Sequence, residues 1–477
     1  MPRTKLYAIL ISGMNAALSF LALLAIDNYE LVSALAIVSF SLFSIVCVTE
    51  SDNILFLART FILGFIGYFP MLVKILYGQD ALFSGYEKST QGFDIAAIMY
   101  VTTSFALLSS QIGFVTARYK RQPRGSLIAI PRQPLSTGSS AIPITYWYVA
   151  AMVGVLLAAV SAYFFVMAYG PSILVAGYGA PERLGGDPPF GTVGVLGAIG
   201  IFSLFIAGLK GYIRRWKLMF LLVSGVYIIY SQLLMGLRQD AMSVLFGLLV
   251  LYGVAKRRDV GLKLAYLPLI FIGYIFFETW GVARTALAAG IPLMDIVWST
   301  FVGIRDSEVV RLGTVSPITT TFSNTVFLIE NHTIDLSLGM SYVEWLLRIP
   351  PEVVYPARPA DYALMFEEHG LSAGGGFFEL AEVYMNFGVA GGLVIPGLVS
   401  FLMGRAYYYA MNRQTMLSYF LLFSFLTIFF RGTWYQTFAF FKAFLVCMLV
   451  YLIYVFIVQV ARAVFRDERL RERHDAT

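Results

Sequence analysis

Long apolar stretches separated by short polar breaks dominate the chain. Most approach the roughly 20 residues that an α-helix needs to cross a hydrocarbon core. The pattern predicts about twelve spans, near 6–26, 31–48, 54–77, 95–117, 146–169, 191–209, 218–235, 241–255, 264–281, 383–404, 416–430 and 438–460. The short alternating segments of a β-barrel are not seen. The expected fold is all-α, a single polytopic membrane domain over residues 1–477. Leu6 to Ile26 follows Arg3 and Lys5 as a signal peptide would. It is a full span long, however, and no small-residue cleavage site follows, so it reads as an uncleaved first helix.

The breaks set an orientation. If both termini are cytoplasmic, the inside segments hold most of the basic residues, among them Arg118, Lys120, Arg121, Arg124, Arg214, Arg215, Lys256, Arg257, Arg258 and Arg413. The short outside loops hold few, as the positive-inside rule requires. Residues 118–145 are basic and rich in Pro, Gly and Ser, and read as a cytoplasmic linker. Residues 282–376 form one large outside loop, long enough to have structure of its own. Within it Ile291–Val302 is apolar, and Ser341–Arg348 reads as a short amphipathic helix. The loop is expected to rest on the outer surface of the bundle.

Composition agrees with the pattern. The chain is 58% hydrophobic and 13% charged, where a soluble protein carries about a quarter charged residues. The net charge of +6 reflects loop asymmetry and not nucleic-acid binding. Cys47 and Cys447, the two cysteines, fall inside predicted spans as small apolar core residues.

The stretch LSAGGGFFELAEVYMNFGVAGG changes the picture. Gly374, Gly375 and Gly376 precede a predicted helix in which Glu379, Glu382 and Asn386 share one face. Two acids and an amide entering a membrane span are costly unless buried in protein or facing water. Arginines fall on the same outward side: Arg238 in MGLRQDAM, Arg284 in GVARTAL, Arg305 and Arg311 in the large loop, and Arg431 in FFRGTWYQTF. Each alone also reads as a helix-end arginine reaching for the interface. As a group they suit an anionic headgroup, because the guanidinium fork matches phosphate. Arg431, Trp434 and Tyr435 share a face if their helix continues; aromatics so placed serve either a sugar site or an interfacial belt. His369, after Glu367 and Glu368, is either a base or a solvated loop residue. No fixed metal-ligand spacing such as HExxH is present.

Glu382, Tyr384, Asn386, Phe387 and Gly388, in FFELAEVYMNFGVAGG after a glycine cluster and a large loop, resemble the O-antigen polymerases of the Wzy type. MGLRQDAMSVLFGLLVLYGVAKRR is similar to their mid-chain break. The resemblance implies a glycosyltransferase, with a fold resembling GT-C-type membrane enzymes, acting in the bacterial inner membrane with its active site facing the periplasm. It would join undecaprenyl-diphosphate-linked glycans, one as donor and one as acceptor, using no cofactor and no metal. Membrane lipids and a chain-length regulator are the other implied partners. Glu382 is the first candidate for the base, His369 the second, with Glu379 in support. Arg238, Arg284 and Arg431, then Arg311, would hold the diphosphate. Asn386, Tyr384, Trp434 and Tyr435 would meet sugar. A ligase moving glycan to another acceptor and a flippase for the same lipid-linked sugar are the competing readings.

Overall fold

A computed structural model of the chain describes residues 3–25, 27–77, 91–119, 191–210, 215–229, 238–262, 317–347, 378–434 and 437–475, with a few isolated positions besides. Among these, every regular element is helical. The helices are α1 (Arg3–Leu24), α2 (Tyr29–Glu50), α3 (Ile54–Tyr77), α4 (Gln91–Tyr119), α5 (Gly191–Leu209), α6 (Trp216–Ile229), α7 (Arg238–Ala255), α8 (Pro317–Glu330), α9 (Met340–Leu347), α10 (Glu379–Gly391), α11 (Ile395–Arg413), α12 (Met416–Leu426), α13 (Phe429–Trp434) and α14 (Phe438–Asp475).

Four of them are long and apolar enough to cross a membrane, in α1, α2, α4 and α14; the bent pair α10–α11 makes a fifth if counted as one span. Their outer faces are what a lipid environment requires. Leu10, Leu21 and Leu24 of α1, Val38 and Val48 of α2, and Leu449, Leu452 and Phe456 of α14 are all exposed. The chain is a helical membrane protein. The predicted spans near 146–169 and 264–281 lie largely or wholly outside the described residues, as do most of the linker 118–145 and the segment Ile291–Val302.

The chain divides into two compact units. The first comprises Met1–Arg124, Asp259–Tyr408 and Phe430–Phe440. In it α1 to α4 pack around a polar seam. Asn15 Nδ2 donates to the Tyr68 hydroxyl at 2.8 Å and to Ser39 O at 3.2 Å. Tyr68 in turn meets Ser104 Oγ at 2.7 Å, and Ser39 Oγ meets the Tyr100 hydroxyl at 2.5 Å. Between apolar helices such bonds fix rotation, because an unpaired polar group has no water to turn to. The start of α3 is tied down as well. Asn53 donates to Asp259 at 2.7 Å, the Tyr407 hydroxyl donates to the same Asp259 oxygen at 2.7 Å, and Ile54 N–H bonds Val260 O at 2.8 Å.

Small residues let α4 and α11 approach closely. A Cβ on Gly113 would stand 2.2 Å from Gly397 O, and Ser110 and Ser400 hydroxyls meet at 2.6 Å. This is the small-residue packing that membrane helices favour.

Two sequence expectations change here. The span predicted over 383–404 is not one helix. At Gly388 φ is 59° and ψ is −153°, a pair that glycine alone adopts cheaply. The chain then turns by 112° into α11. Hydropathy sees one apolar run, because Gly392, Leu393 and Val394 at the break carry no polar side chain. The large loop also does more than rest on a surface. It contributes α8, PITTTFSNTVFLIE, whose Thr321 to Val326 are all buried. Its hydroxyls and amide disguised a core helix, which packs against α4 and α10. The amphipathic helix expected at Ser341–Arg348 is α9, Met340–Leu347.

The second unit comprises Gly125–Arg258, Tyr409–Phe429 and Phe441–Thr477. Phe202 of α5 packs on Phe423 of α12, and Phe246 of α7 stacks on Phe429 at 4.5 Å. The Tyr227 hydroxyl closes α6 onto α5 by donating to Gly194 O at 3.1 Å.

Candidate functional site

The site is built on the first two turns of α10. Phe378 holds the N-cap position and offers no side-chain cap. Glu379 and Glu382 follow in the first turn, where the positive end of the helix dipole favours acids. Both are fully buried, as is Asn386 one turn on. The polar face expected at an outer edge is thus enclosed within the first unit, and each member has a different partner.

Glu379 is held by Arg59. Both terminal guanidinium nitrogens of Arg59 donate to the two carboxylate oxygens, and Arg59 Nη1 also donates to Thr433 Oγ1 at 3.2 Å. Arg59 lies in the second turn of α3 and is itself fully buried. This forked pair is the geometry in which arginine and carboxylate satisfy one another. Both Glu379 oxygens are thus engaged by one cation.

Glu382 is different. Its Oε2 accepts the backbone N–H of Thr437 at 3.0 Å, in the turn between α13 and α14. Its Oε1 is buried outside any well-formed hydrogen bond among the described residues, and the Thr437 hydroxyl, buried and likewise unmatched, sits beside the carboxylate as a donor to it. No cation pairs with it among those residues either.

Asn386 is a clamp. Its amide nitrogen donates to Ser341 Oγ at 2.5 Å and to Glu382 O at 2.7 Å, and its oxygen accepts from Gly339 N–H at 3.0 Å. Ser337 N–H and Leu338 N–H add bonds to Met385 O and Asn386 O. Together they seat α9, from the large loop, on α10. Tyr342 then stacks on Phe387 with ring centroids 6.4 Å apart. The Tyr342 hydroxyl is buried without a hydrogen-bond partner among the described residues. Burial first, then the carboxylates of Glu382 and Glu379, push it well above the ordinary phenol range. It stays a hydrogen-bond donor at any physiological pH.

Tyr384 points elsewhere on α10. Its hydroxyl donates to Glu330 Oε1 at 2.5 Å, at the end of α8, and its ring meets Phe322 edge-on. Arg431 lies half-buried in α13 with interactions of its own. The helix continues to Trp434, whose side chain, like all of Tyr435, is outside the described residues. Arg284 and Arg311 are outside them too, as are the glycines 374–376. Arg238 opens α7 in the second unit, its side chain likewise not described. His369 is exposed in a turn. Among the described residues no three His, Cys, Asp or Glu side chains gather as metal ligands would.

No family model, no curated protein and no solved structure matches this chain.

Sequence reasoning passed over Tyr342, Ser341 and Thr437, and met Arg59 without its partner. The last had a usable signal. A lone arginine inside an apolar span demands an acid, and Glu379 is an acid beside another apolar run. Tyr342 carried no such mark, since a tyrosine in a short amphipathic helix is ordinary.

Proposed function

We propose that this chain is a membrane glycosyltransferase that polymerises polyprenyl-diphosphate-linked oligosaccharide repeat units on the periplasmic face of the inner membrane. In this reading it has about twelve spans and a GT-C-like arrangement. One observation carries the reading: Glu382 is a fully buried carboxyl anchored by the Thr437 backbone N–H, with the Thr437 hydroxyl beside it and no cation paired with it among the described residues. Glu379, by contrast, is matched by Arg59. A buried carboxyl held in place without a charge partner is suited to taking a proton. Support also comes from the Glu-x-Tyr-x-Asn-Phe-Gly run from Glu382 to Gly388 that resembles the polymerases.

In the proposed reaction, a hydroxyl of the acceptor sugar gives its proton to Glu382 Oε1. Its oxygen bonds to the anomeric carbon of the donor as the bond from that carbon to the diphosphate oxygen breaks. The proton ends on Glu382, and the charge leaves with the polyprenyl diphosphate. Arg284, Arg431 and Arg311 are the cations assigned to that charge, since fixed donors aimed at developing charge lower the barrier.

The test uses purified protein in liposomes with lipid-linked repeat units as the sole substrate. A ladder of lengthening products is expected from the wild type, and its loss by about 10²-fold or more in Glu382→Gln. A full-rate ladder from Glu382→Gln refutes the assignment of the base. Transfer that occurs only when a second acceptor is supplied makes the protein a ligase. Movement of the lipid-linked sugar across the bilayer without elongation makes it a flippase.

A further inference from the structure

We infer that the loop helix α9 is seated at the hydrocarbon edge of the bilayer, with lipid chains covering the face it turns away from the protein. The helix is built inside out. Its exposed residues are Met340, Val343, Leu346 and Leu347, all apolar. Its one fully buried residue is polar: Ser341, which takes the Asn386 amide at 2.5 Å. On a helix of 3.6 residues per turn the four exposed positions fall within one arc and form one stripe. A helix resting on a protein in water has the opposite arrangement, apolar residues inward and polar residues outward.

The turn leading into α9 points the same way. From Ser337 to Met340 each backbone N–H is bonded, to Met385 O at 2.9 Å, Asn386 O at 3.0 Å, Asn386 Oδ1 at 3.0 Å and Ser337 O at 2.8 Å. Irregular backbone persists at membrane depth only where protein supplies such bonds. Within this turn Leu338 stands at φ 46° with 75% of it exposed. Left-handed backbone disfavours leucine, and an exposed leucine in water brings no gain to offset the strain. In hydrocarbon, its transfer out of water does.

Continuity names lipid as the occupant. A Cβ on Gly339 would lie 3.4 Å from Phe387 Cζ, and Tyr342 stacks on the same ring. Phe387 Cβ in turn lies 3.1 Å from a Cβ built on Gly391, at the break into α11. From that break Val394, Leu398 and Leu402 recur every fourth residue and are all exposed, an outer stripe of the apolar pair α10–α11. The α9 stripe adjoins this lipid-facing surface. A segment that reads from sequence as part of an outside loop is in this way part of the membrane face. The inference does not depend on the reaction.

The experiment places a nitroxide on Met340→Cys, Val343→Cys or Leu346→Cys in a cysteine-free chain (Cys47→Ala, Cys447→Ala) in phosphatidylethanolamine–phosphatidylglycerol liposomes. Leu449→Cys on α14 marks lipid, and exposed Arg258→Cys marks water. Power-saturation paramagnetic resonance compares collisions with oxygen, which concentrates in hydrocarbon, and with a water-soluble nickel chelate. The α9 labels should follow Leu449 and favour oxygen. Nickel collisions matching those at Arg258 overturn the inference by placing the face in water. Few collisions with either reagent overturn it too, by placing another part of the protein over the face. Val343→Asp, in the chain with both cysteines kept, gives a second reading. In mixed phospholipid–dodecyl sulfate micelles it should lower the folded-to-unfolded ratio by about ten-fold or more, the cost of a carboxylate held against hydrocarbon. A change within about two-fold, as at an ordinary water-facing position, overturns the inference.

Discussion

Removing either partner of the Arg59–Glu379 pair should be far more damaging than removing both. Each side chain has zero exposure. The carboxylate takes both terminal nitrogens of the guanidinium, and Thr433 accepts a further bond at 3.2 Å. Arg59→Leu leaves an uncompensated carboxylate among helices, and Glu379→Leu leaves an uncompensated guanidinium. Breaking such a pair typically costs about 3–5 kcal/mol, roughly two to three and a half powers of ten in the folding equilibrium. Replacing both by leucine also removes the desolvation cost, so Arg59→Leu/Glu379→Leu should recover most of the loss. The assay is unfolding by sodium dodecyl sulfate in mixed micelles, followed by near-ultraviolet circular dichroism, with exposed Arg405→Ala as the control. Single variants that unfold with the control refute the buried pair as a stabilising tie. A double variant as unstable as the sum of the singles refutes the coupling between them.

Asn386→Ala strips Ser341 Oγ and Gly339 N–H of their partner, at about 1–3 kcal/mol each; hydrogen exchange over 337–347 should quicken while that of α1 and α2 stays unchanged. Gly388→Ala forces a side chain into φ 59°, ψ −153° and should cost about 1–3 kcal/mol, although nothing lies closer than 4.0 Å to the added methyl; an unchanged unfolding midpoint would show that the break relaxes freely. Gly113→Ala places a methyl 2.2 Å from Gly397 O and should lower the melting temperature by overpacking α4 on α11, whereas Gly225→Ala, with nothing within 4 Å, should not.

The membrane class was legible in the sequence, because a hydrocarbon solvent writes itself as apolar runs of fixed length. So was the singular character of Glu379, Glu382 and Asn386, since polar groups in such runs demand a reason. Helical spacing placed them on one face, and all three are buried together. Periodicity reports only the direction a side chain leaves its own helix. It says nothing of what arrives from 320 residues away, as Arg59 does at Glu379, or from a loop helix, as Ser341 does at Asn386. The 112° break after α10 was equally hidden, because the residues at the break, Gly392, Leu393 and Val394, are all non-polar. Local composition thus determined the solvent, the helices and the three residues worth asking about. The tertiary structure alone gave each its partner: Glu379 an ion pair, Asn386 the loop helix α9, and Glu382 the turn at Thr437. The physical reason is that a buried polar group takes its role from its partners, and partners are chosen by packing between distant segments.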